Sequence, residues 1–420
     1  MFTSFKKFSW SHPSTTLLFA AVGLFLGFVQ SELITNTAVV ISDLFVNLLR
    51  LISLPMIFFS IVSTLGSMKN FQEVRSLGSK VIFYTGLTTI VAATVAMACY
   101  LFLNPAGSGS MDILPGTESP APLGEQGSYW SFLIKHIPSN MLEPFISNNV
   151  IGVLFLSILF SAAILGLPET QKKTLNDLFS ALFGMILKIA GIIMTMIPVA
   201  VCAFMILFVR DLNQGMNLSG LLIYILCIVS ANLIQAIVVL PAILLWHGIN
   251  PFRLAKAMWP ALTVAFFGKS SSAALPTVIR CAEERAGLNK SISRFSFPMC
   301  ATVNMNACAG FIIISVLFVS EMHGVKFSGF DYLSWILIGS IAAAGNAAVP
   351  MGCYFLASSF LASQNIPLTI MGAILPFYAL LDMLETAINV WSDSCVTAIV
   401  SKSNEKISSE DISSVQSSVS

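Results

Sequence analysis

The sequence predicts an all-α polytopic membrane protein with eight transmembrane helices and two re-entrant helical hairpins, arranged as inverted repeats. Three observations predict this class. Of the 420 residues, 56% are hydrophobic and only 10% are charged, with a mean hydropathy of +0.85. Soluble domains carry about 25% charged residues, so lipid must solvate most of this surface. The apolar residues also fall into long runs, two of which are interrupted by small and polar residues.

Composition excludes several classes of function. The net charge is +1 and no basic cluster occurs, so we expect no nucleic-acid partner. The eight cysteines are scattered through apolar stretches and form no CxxC pair, which is typical of small buried hydrophobic residues. The four histidines show no paired helical spacing. We therefore expect no bound metal cofactor of the Cys/His type.

The first part of the chain supplies six transmembrane segments. A helix needs about 20 apolar residues to cross a bilayer, and the segments that meet or approach this length are 14–30, 36–66, 79–103, 150–167, 178–209 and 219–246. The first follows Lys6 and Lys7, as a cleaved signal peptide also would. No A-x-A cleavage motif follows it and many spans come after it, which favours a first transmembrane helix.

The second part of the chain has a different pattern. Residues 251–278, here called hairpin 1, are interrupted by GKSSSAALP, and residues 331–363, hairpin 2, are interrupted by AAAGNAAVP. Between them, the apolar segment 293–320 is broken by CATVNMNACAG, and a last span covers 367–400. We expect residues 104–130 to form a polar extracytoplasmic loop and the serine-rich tail after 402 to be disordered.

Basic residues predict the orientation. With both termini cytoplasmic, 15 of the 21 lysines and arginines lie on the inner side, as the positive-inside rule requires. This count holds only if both hairpins enter the membrane and return to their own side. Unwound backbone inside a membrane is tolerated only beside protein or a water-filled cavity, and paired interrupted segments are typical of inverted-repeat transporters. A channel would instead require glycine-rich filter loops, and none occurs in the sequence.

The last span carries a stripe of polar residues within LDMLETAINVWSDS. Asp382, Glu385, Asn389 and Asp393 fall within about an 80° arc of a helix. A charge at the bilayer centre costs at least ~2.5 kcal/mol, so this face should border a hydrated cavity. A helix end at the membrane surface would explain Asp393 but not Asp382.

Two further motifs carry polar groups into apolar surroundings. Ser270, Ser271 and Ser272 in hairpin 1 precede free backbone amides, which attract anionic groups such as a carboxylate. In TVNMN, Thr302, Asn304 and Asn306 offer oxygen ligands suited to Na⁺. The alternatives are a serine-rich loop that solvates its own backbone and asparagines that hydrogen-bond between helices.

These motifs together resemble the dicarboxylate/amino acid:cation symporters, the family of the glutamate, aspartate and serine/threonine transporters. The resemblance covers nearly the whole chain. It depends on DLFVNLLRLISLPMIFFSI, IPSN, NNVIGVLFLSILFSAAILG, KSSSAALP, ATVNMN, AAVP and LDMLETAINVWSD. The family fold implies a homotrimer in the cell (inner) membrane, in which a transport domain slides across a scaffold while hairpin 2 gates the outer mouth.

The resemblance also implies roles for single residues. Asp382 matches the group that holds the substrate ammonium, and Asn389 with the backbone near Ser271 matches groups that hold its carboxylate. The implied substrate set is Ser270, Ser271, Ser272, Asp382, Glu385, Asn389, Cys308 and Lys269. The implied Na⁺ set is Thr88, Thr89, Cys300 (through its carbonyl), Thr302, Asn304, Asn306, Asn389 and Asp393.

The implied domain organisation has three parts. Residues 1–249 form mainly scaffold and trimerisation helices, but the third and sixth predicted spans, 79–103 and 219–246, belong to the transport domain. Residues 250–402 form the transport core, and residues 403–420 form a cytoplasmic tail. No cofactor is implied besides Na⁺ as the coupling ion, with H⁺ as the alternative.

Departures from the family pattern predict the substrate. Glu385 stands where acidic-substrate members have arginine, and Cys308 stands where they have threonine, so we expect a small neutral amino acid such as serine, threonine or alanine. Lys269 could neutralise Glu385 or reach a substrate carboxylate, which keeps acidic substrates open, and an unpaired Glu385 keeps cationic ones open. Asn306 replaces an aspartate and Thr85 a tyrosine, which predicts fewer coupled cations.

Other departures lie in hairpin 2, where Ala343, Asn346, Ala348, Met351 and Cys353 replace small or hydroxyl residues. An intramembrane enzyme, with Ser270–Ser272 as nucleophile and Lys269 or Asp382 as base, is a different class of function. The sequence has no nucleophile elbow for it. We therefore predict a transporter and not an enzyme, with an accompanying anion leak as an open possibility.

Overall fold

The computed structural model describes residues 13–66, 71–107, 138–147, 149–213, 218–346 and 351–418. Every regular element in these residues is helical. Lys6, Lys7, Ala348 and most of the predicted loop 104–130 lie outside them.

The helices of the first part of the chain are α1 (Pro13–Phe28), α2 (Glu32–Gly66), α3 (Phe71–Leu103), α4 (Glu143–Ile146), α5 (Val150–Leu165), α6 (Glu169–Met194), α7 (Ile197–Asn213) and α8 (Leu218–Ile234). A π-helical turn, Gln235–Val239, joins α8 to α9 (Leu240–Trp246). Proline at position 55 lies inside α2 without ending it. Asn149 caps α5 by accepting from the amide of Gly152 at 3.0 Å.

The second part contains α10 (Pro251–Gly268), α11 (Ser271–Arg280), α12 (Lys290–Val303), α13 (Asn306–Met322), α14 (Gly329–Ala344), α15 (Gly352–Ser363) and α16 (Thr369–Ser418). Hairpin 1 consists of α10 and α11, which pack against each other. Hairpin 2 consists of α14 and α15, and each packs against α13. Both predicted interruptions therefore occur as breaks between two helices.

Five helical segments are long and apolar enough to cross a membrane within the described residues: Gly78–Leu103, Glu169–Ile193, Gly220–Trp246 (α8 with α9), Lys290–Met322 (α12 with α13) and Thr369–Asn404. Shorter apolar helices accompany them, including both arms of hairpin 2. Large apolar side chains are exposed on the outer faces, among them Phe102 and Trp246, each 89% exposed. Such exposure is expected where lipid is the solvent.

One prediction about a helix boundary is wrong. The predicted span 178–209 is two helices, because α6 ends at Met194 and α7 begins at Ile197. Pro198, in the first turn of α7, fits a helix start, where its missing N–H costs nothing. The last helix, α16, runs to Ser418, and disorder of the tail after 402 stays a prediction.

The buried centre of the fold is α13. All its residues except Glu321 are buried, and α3, α8, α14, α15 and α16 pack around it. Tyr224 of α8 stacks on Phe318 with ring centroids 4.8 Å apart. The helix that begins at the TVNMN motif is therefore shielded from lipid by protein on all sides, which places its N-terminus inside the molecule.

Candidate functional site

The tip of hairpin 1 is a tight turn. Lys269 adopts the left-handed conformation (φ 50°, ψ 32°) after α10 ends, an uncommon state for a residue with a side chain. The Oγ of Ser270 then accepts from the backbone N–H of Ala273 at 3.2 Å and caps α11. The turn therefore directs the N-terminus of the ten-residue α11 toward the centre of the fold.

The break between α12 and α13 lies at the predicted motif. Asn304 (φ −90°, ψ 73°) and Met305 (φ −107°, ψ 60°) leave the helical conformation. The N–H of Asn304 still bonds the carbonyl of Cys300 at 2.7 Å. Asn304 lies in this non-helical segment and Asn306 begins α13, and both residues are fully buried.

The polar face of α16 points into the protein. Asp382, Glu385, Asn389 and Asp393 are 8%, 1%, 3% and 2% exposed. The side-chain oxygen of Asn389 accepts from the backbone N–H of Ala307, at the start of α13, at 3.0 Å. The stripe predicted from helical spacing therefore borders protein and a cavity, as the sequence indicated.

A small cavity of about 20 Å³ lies where these elements meet. Hairpin 1, hairpin 2, the break before α13 and α16 all contribute side chains to it. The lining residues are Lys269, Ser270, Ser271, Met305, Cys308, Asn346, Cys353, Asp382, Glu385, Thr386 and Asn389. Residues from parts of the sequence more than a hundred positions apart thus enclose one space.

The charges in this cavity are unequal. Two carboxylates, Asp382 and Glu385, share it with a single ammonium, that of Lys269. Glu385 Oε2 accepts a long hydrogen bond of 3.5 Å from the hydroxyl of Tyr378. Glu385 Oε1 and Asn346 Oδ1 are buried without a hydrogen-bond partner among the described residues. Buried polar atoms of this kind are costly in a closed protein and suit a site that accepts a polar ligand.

A second polar cluster lies beside the cavity. Asn304 Nδ2 donates to Asp393 Oδ1 and to Ser392 Oγ, both at 2.9 Å. Thr88 Oγ1 donates to Asn304 Oδ1 at 3.3 Å, so α3 joins the cluster. These oxygens, all buried, form the hard ligand set that a small alkali cation requires.

Asn306 extends this cluster. Its side-chain oxygen accepts from Thr89 Oγ1 at 2.8 Å and from Thr88 Oγ1 at 3.5 Å, and its Nδ2 donates to Ser392 Oγ at 2.7 Å. Gln235, in the π-helical turn, donates from Nε2 to the carbonyl of Thr88 at 3.3 Å. The neutral carboxamide is satisfied on both sides by protein groups.

Three of the predicted site residues stand apart from these groups. Ser272 is exposed and does not line the cavity. The hydroxyl of Thr302 donates to the carbonyl of Met299 in its own helix at 2.8 Å. Cys300 is buried, with its sulfur 3.7 Å from Ser296 Oγ, and its carbonyl bonds the amide of Asn304.

Several residues at the site were not predicted as site residues. Ser392 links Asn304 to Asn306, and its position three residues after Asn389 places it on the predicted stripe. Tyr378 lies four residues before Asp382 and seven before Glu385, again on the same face. Met305, Asn346, Cys353 and Thr386 line the cavity, and only their spatial proximity identifies them.

Comparison with known proteins identifies the family. The model of the sodium:dicarboxylate symporter family matches residues 14–403, nearly the whole chain. The chain belongs to the sodium:dicarboxylate symporter family.

Three relatives in this family show its range. The chain is 23% identical to excitatory amino acid transporter 3 of Oryctolagus cuniculus, over 89% of this chain and 80% of the relative. It is 23% identical to the proton/sodium-glutamate symport protein of Bacillus caldotenax, over 91% and 92% of the two chains. It is 26% identical to neutral amino acid transporter A of Bos taurus, over 87% and 76%.

Membership of the sodium:dicarboxylate symporter family confirms the predicted resemblance and defines the class of function. The family consists of cation-coupled membrane transporters of small molecules and not of enzymes. The names of the relatives include both glutamate and neutral amino acids. The substrate of this chain therefore has to be argued from its own cavity.

Proposed function

We propose that this protein is a secondary active symporter that imports a small neutral amino acid, with serine, threonine or alanine favoured, coupled to Na⁺. The observation that carries the proposal is the position of Glu385, a buried carboxylate in the same cavity as Asp382. Two acidic groups in one small site disfavour a substrate that brings two carboxylates of its own.

The size of this effect supports a neutral side chain over an acidic one. Two like charges about 4 Å apart, at an effective dielectric near 20, repel by ~4 kcal/mol. That energy corresponds to roughly a thousandfold loss of affinity. A neutral side chain avoids this repulsion.

The remaining groups suit the two ends common to all amino acids. The carboxylate of Asp382 is placed to hold an α-ammonium group. The N-terminus of α11, at Ser271, offers free backbone N–H groups to an α-carboxylate. Asn389 adds its Nδ2, which in this structure faces the sulfurs of Met305 and Cys308 at 3.5 and 3.6 Å.

The cluster around Asp393 is the proposed Na⁺ site. Asp393 supplies the negative charge, and Asn304, Thr88 and Ser392 supply neutral oxygens close to it. Asn306 has no charge, and its side-chain oxygen and nitrogen both have protein partners, which supports the proposal that one cation site of acidic-substrate relatives is lost here. We propose that one or two Na⁺ ions, or protons in their place, move in each cycle.

An acidic amino acid or dicarboxylate, coupled to Na⁺ or H⁺, is the second candidate. Lys269 lines the same cavity and could pair with a second substrate carboxylate. A cationic amino acid held by Glu385 is a further candidate substrate for the same site. Glu385→Gln distinguishes a cationic from a neutral substrate, because it should abolish binding of lysine while leaving binding of serine.

Uptake by the purified protein in proteoliposomes tests the proposal. With an inward Na⁺ gradient, labelled serine should accumulate and labelled aspartate should not. Glu385→Arg should reverse this preference, shifting the aspartate-to-serine ratio by about a hundredfold or more, because it replaces repulsion by a bidentate pair. Aspartate preferred over serine by the unchanged protein would contradict the proposed substrate. Uptake driven by a pH gradient in the absence of Na⁺ would contradict the proposed coupling ion.

The remaining architecture is proposed from the family resemblance. We infer a homotrimer in the cell membrane with cytoplasmic termini, a scaffold drawn mainly from residues 1–249 and a transport core of residues 250–402. Contacts of α3 and α8 with α13 support their place beside the core. Mass measurement of the detergent-solubilised complex should give three chains, and a monomer would contradict the assembly.

A further inference from the structure

Two cysteines meet in the wall of the cavity. Cys308 lies in the first turn of α13, and Cys353 lies in the first turn of α15. Their Cα atoms are 5.4 Å apart and the structure joins them as a disulfide across 45 positions of sequence. That Cα separation falls within the range in which a disulfide forms without backbone movement. Both side chains are 2% exposed.

The pair connects α13 with the second arm of hairpin 2. Cys308 lies at the start of α13, four residues after Asn304, inside the most buried helix of the fold. Cys353 lies at the start of the second arm of hairpin 2, two residues after Met351, which has a left-handed backbone with φ 59°. A bond between them therefore links hairpin 2 to the start of α13, across the cavity that both cysteines line.

Hairpin 2 is arranged around this pair from its other arm as well. Asn346 Nδ2 lies 3.1 Å from the sulfur of Cys308 and 3.4 Å from that of Cys353. Gly352 makes this possible, because a Cβ on it would collide with Asn346 Oδ1. Asn346 from one arm and Cys353 from the other thus both contact this pair of sulfurs.

The other cysteines make no comparable pair. Cys99, Cys202, Cys227, Cys281, Cys300 and Cys395 are free. The cavity pair is also set beside a charge, since the ligand atoms of Cys308, Cys353 and Glu385 lie within 4.8 Å of one another.

We propose that Cys308 and Cys353 form a reversible disulfide that locks hairpin 2 over the cavity and stops transport until it is reduced. The inference rests on the proposed function in one respect, because it requires hairpin 2 to lift for substrate to enter. The oxidant is a low-molecular-weight disulfide, RS–SR. Its S–S bond breaks, a bond forms between the two cysteine sulfurs, and the two protons and two electrons of the thiols leave in two RSH molecules. A dithiol reverses the exchange.

The first test follows the bond itself. The full-length protein is treated with oxidised glutathione or with dithiothreitol, denatured with EDTA, alkylated and mapped by mass spectrometry. Oxidised protein should yield the linked Cys308–Cys353 peptides, and reduced protein should yield both peptides alkylated. If both thiols of the oxidised protein become alkylated without reductant, the proposal is wrong, and protection that EDTA alone removes would assign a thiolate-bound metal instead.

The second test follows the movement of hairpin 2. Hydrogen exchange of residues 351–363 should be faster in reduced than in oxidised protein and should not depend on redox state in Cys353→Ala. Cys395→Ala, a buried cysteine in α16 that the structure leaves free, is the matched control and should respond to redox state as the unchanged protein does. Equal exchange in both redox states of the unchanged protein would refute the lock. This measurement needs no transported substrate.

The third test follows transport. Serine uptake into proteoliposomes should fall by about tenfold or more on oxidation and return on reduction, since only the opened state exchanges substrate. In Cys353→Ala the ratio of oxidised to reduced uptake should be near one, whatever its absolute rate. Uptake that is independent of redox state in the unchanged protein would overturn the proposal. A reduced protein that transports none of the amino acids refutes the proposed function instead, and the first two tests then decide the lock alone.

Discussion

Charge at single residues carries the proposals for both the substrate and the number of ions. In the cavity, Glu385 adds a carboxylate to that of Asp382, and Lys269 offers one opposing charge. In the neighbouring cluster, Asn306 provides a neutral carboxamide whose oxygen accepts from two threonines and whose nitrogen donates to Ser392. Compared with the pattern of acidic-substrate family members, the cavity is thus more negative at Glu385 and the cluster is less negative at Asn306.

Asn306→Asp should add a cation to the transport cycle. A carboxylate at this position cannot donate to Ser392, and two threonine hydroxyls alone do not balance a buried charge, so a Na⁺ ion becomes the favoured partner. The dependence of serine uptake on Na⁺ concentration should become steeper by about one ion. Initial rates measured across a Na⁺ series give this slope.

The control for this variant is Asn232→Asp, an equally buried carboxamide of α8 whose Nδ2 donates to the carbonyl of Ile228 at 3.1 Å. It introduces the same charge outside the cluster and should lower the amount of folded protein without steepening the Na⁺ dependence. An unchanged slope in Asn306→Asp, with the protein folded, would show that the cluster does not bind the ion.

At the level of helices, the fold depends on where regular structure stops. The turn at Lys269, the break at Asn304–Met305 and the left-handed Met351 bring three chain segments to one cavity. Helix ends leave backbone N–H and carbonyl groups unpaired, so these interruptions supply binding groups as well as direction. By contrast, α16 contributes through one continuous face.

Much of this element structure could be predicted from the sequence. Uninterrupted apolar runs predict helices because lipid requires every backbone group to be satisfied within the segment. GKSSSAALP and ATVNMN interrupt such runs and do mark the breaks. The break before α7 was missed, although Pro198 in its first turn signals a helix start, because the apolar run continues through it.

What the sequence could not provide was pairing across distance. The contact of Cys308 with Cys353 and the bridge from Ser392 to Asn306 join residues far apart in the chain. Helical spacing predicts which residues of one helix share a face, but it carries no information on which helices lie opposite. The residues of α16 were therefore predicted correctly as a stripe, while their partners in hairpin 2 were not.

Gly372→Ala should destabilise the contact between α16 and α7. A Cβ at Gly372 would collide with the ring of Phe204, which is 3% exposed in α7 and cannot move freely. Overpacking of this kind costs about 1–3 kcal/mol. Thermal unfolding of the detergent-solubilised protein, followed by tryptophan fluorescence, should therefore show a lower midpoint.

Gly86→Ala is the matched control, since a Cβ at Gly86 in α3 meets no atom within 4 Å. It should leave the midpoint unchanged or raise it, because alanine favours a helix by roughly 0.5–1 kcal/mol over glycine. Equal midpoints for the two variants would mean that α16 and α7 are less closely packed than the structure shows.

At the scale of the whole molecule, the cavity and the polar cluster around Asp393 are adjacent because α13 and α16 contribute to both. Asn389 lines the cavity and bonds the start of α13, while Asp393, one helical turn further along α16, belongs to the cluster through Asn304. Binding of a cation that fixes Asn304 and Asp393 would also fix the residues that meet the substrate. This shared framework is a physical route for coupling the two gradients.

The net charge moved in each cycle follows from this coupling. A zwitterionic amino acid carries no net charge, so one Na⁺ makes the complex positive and two make it doubly positive. With equal Na⁺ on both sides, a membrane potential of 100 mV, negative inside, then supplies about 2.3 kcal/mol per charge. Serine should accumulate about fiftyfold for one ion, and the square of that ratio for two. A potassium diffusion potential across proteoliposomes, with the internal and external serine measured at steady state, gives the number directly. Asp393→Asn should abolish the accumulation, since it removes the charge of the cation site. An accumulation that does not respond to the potential would mean that the complex is neutral, as it would be for one Na⁺ with an acidic substrate.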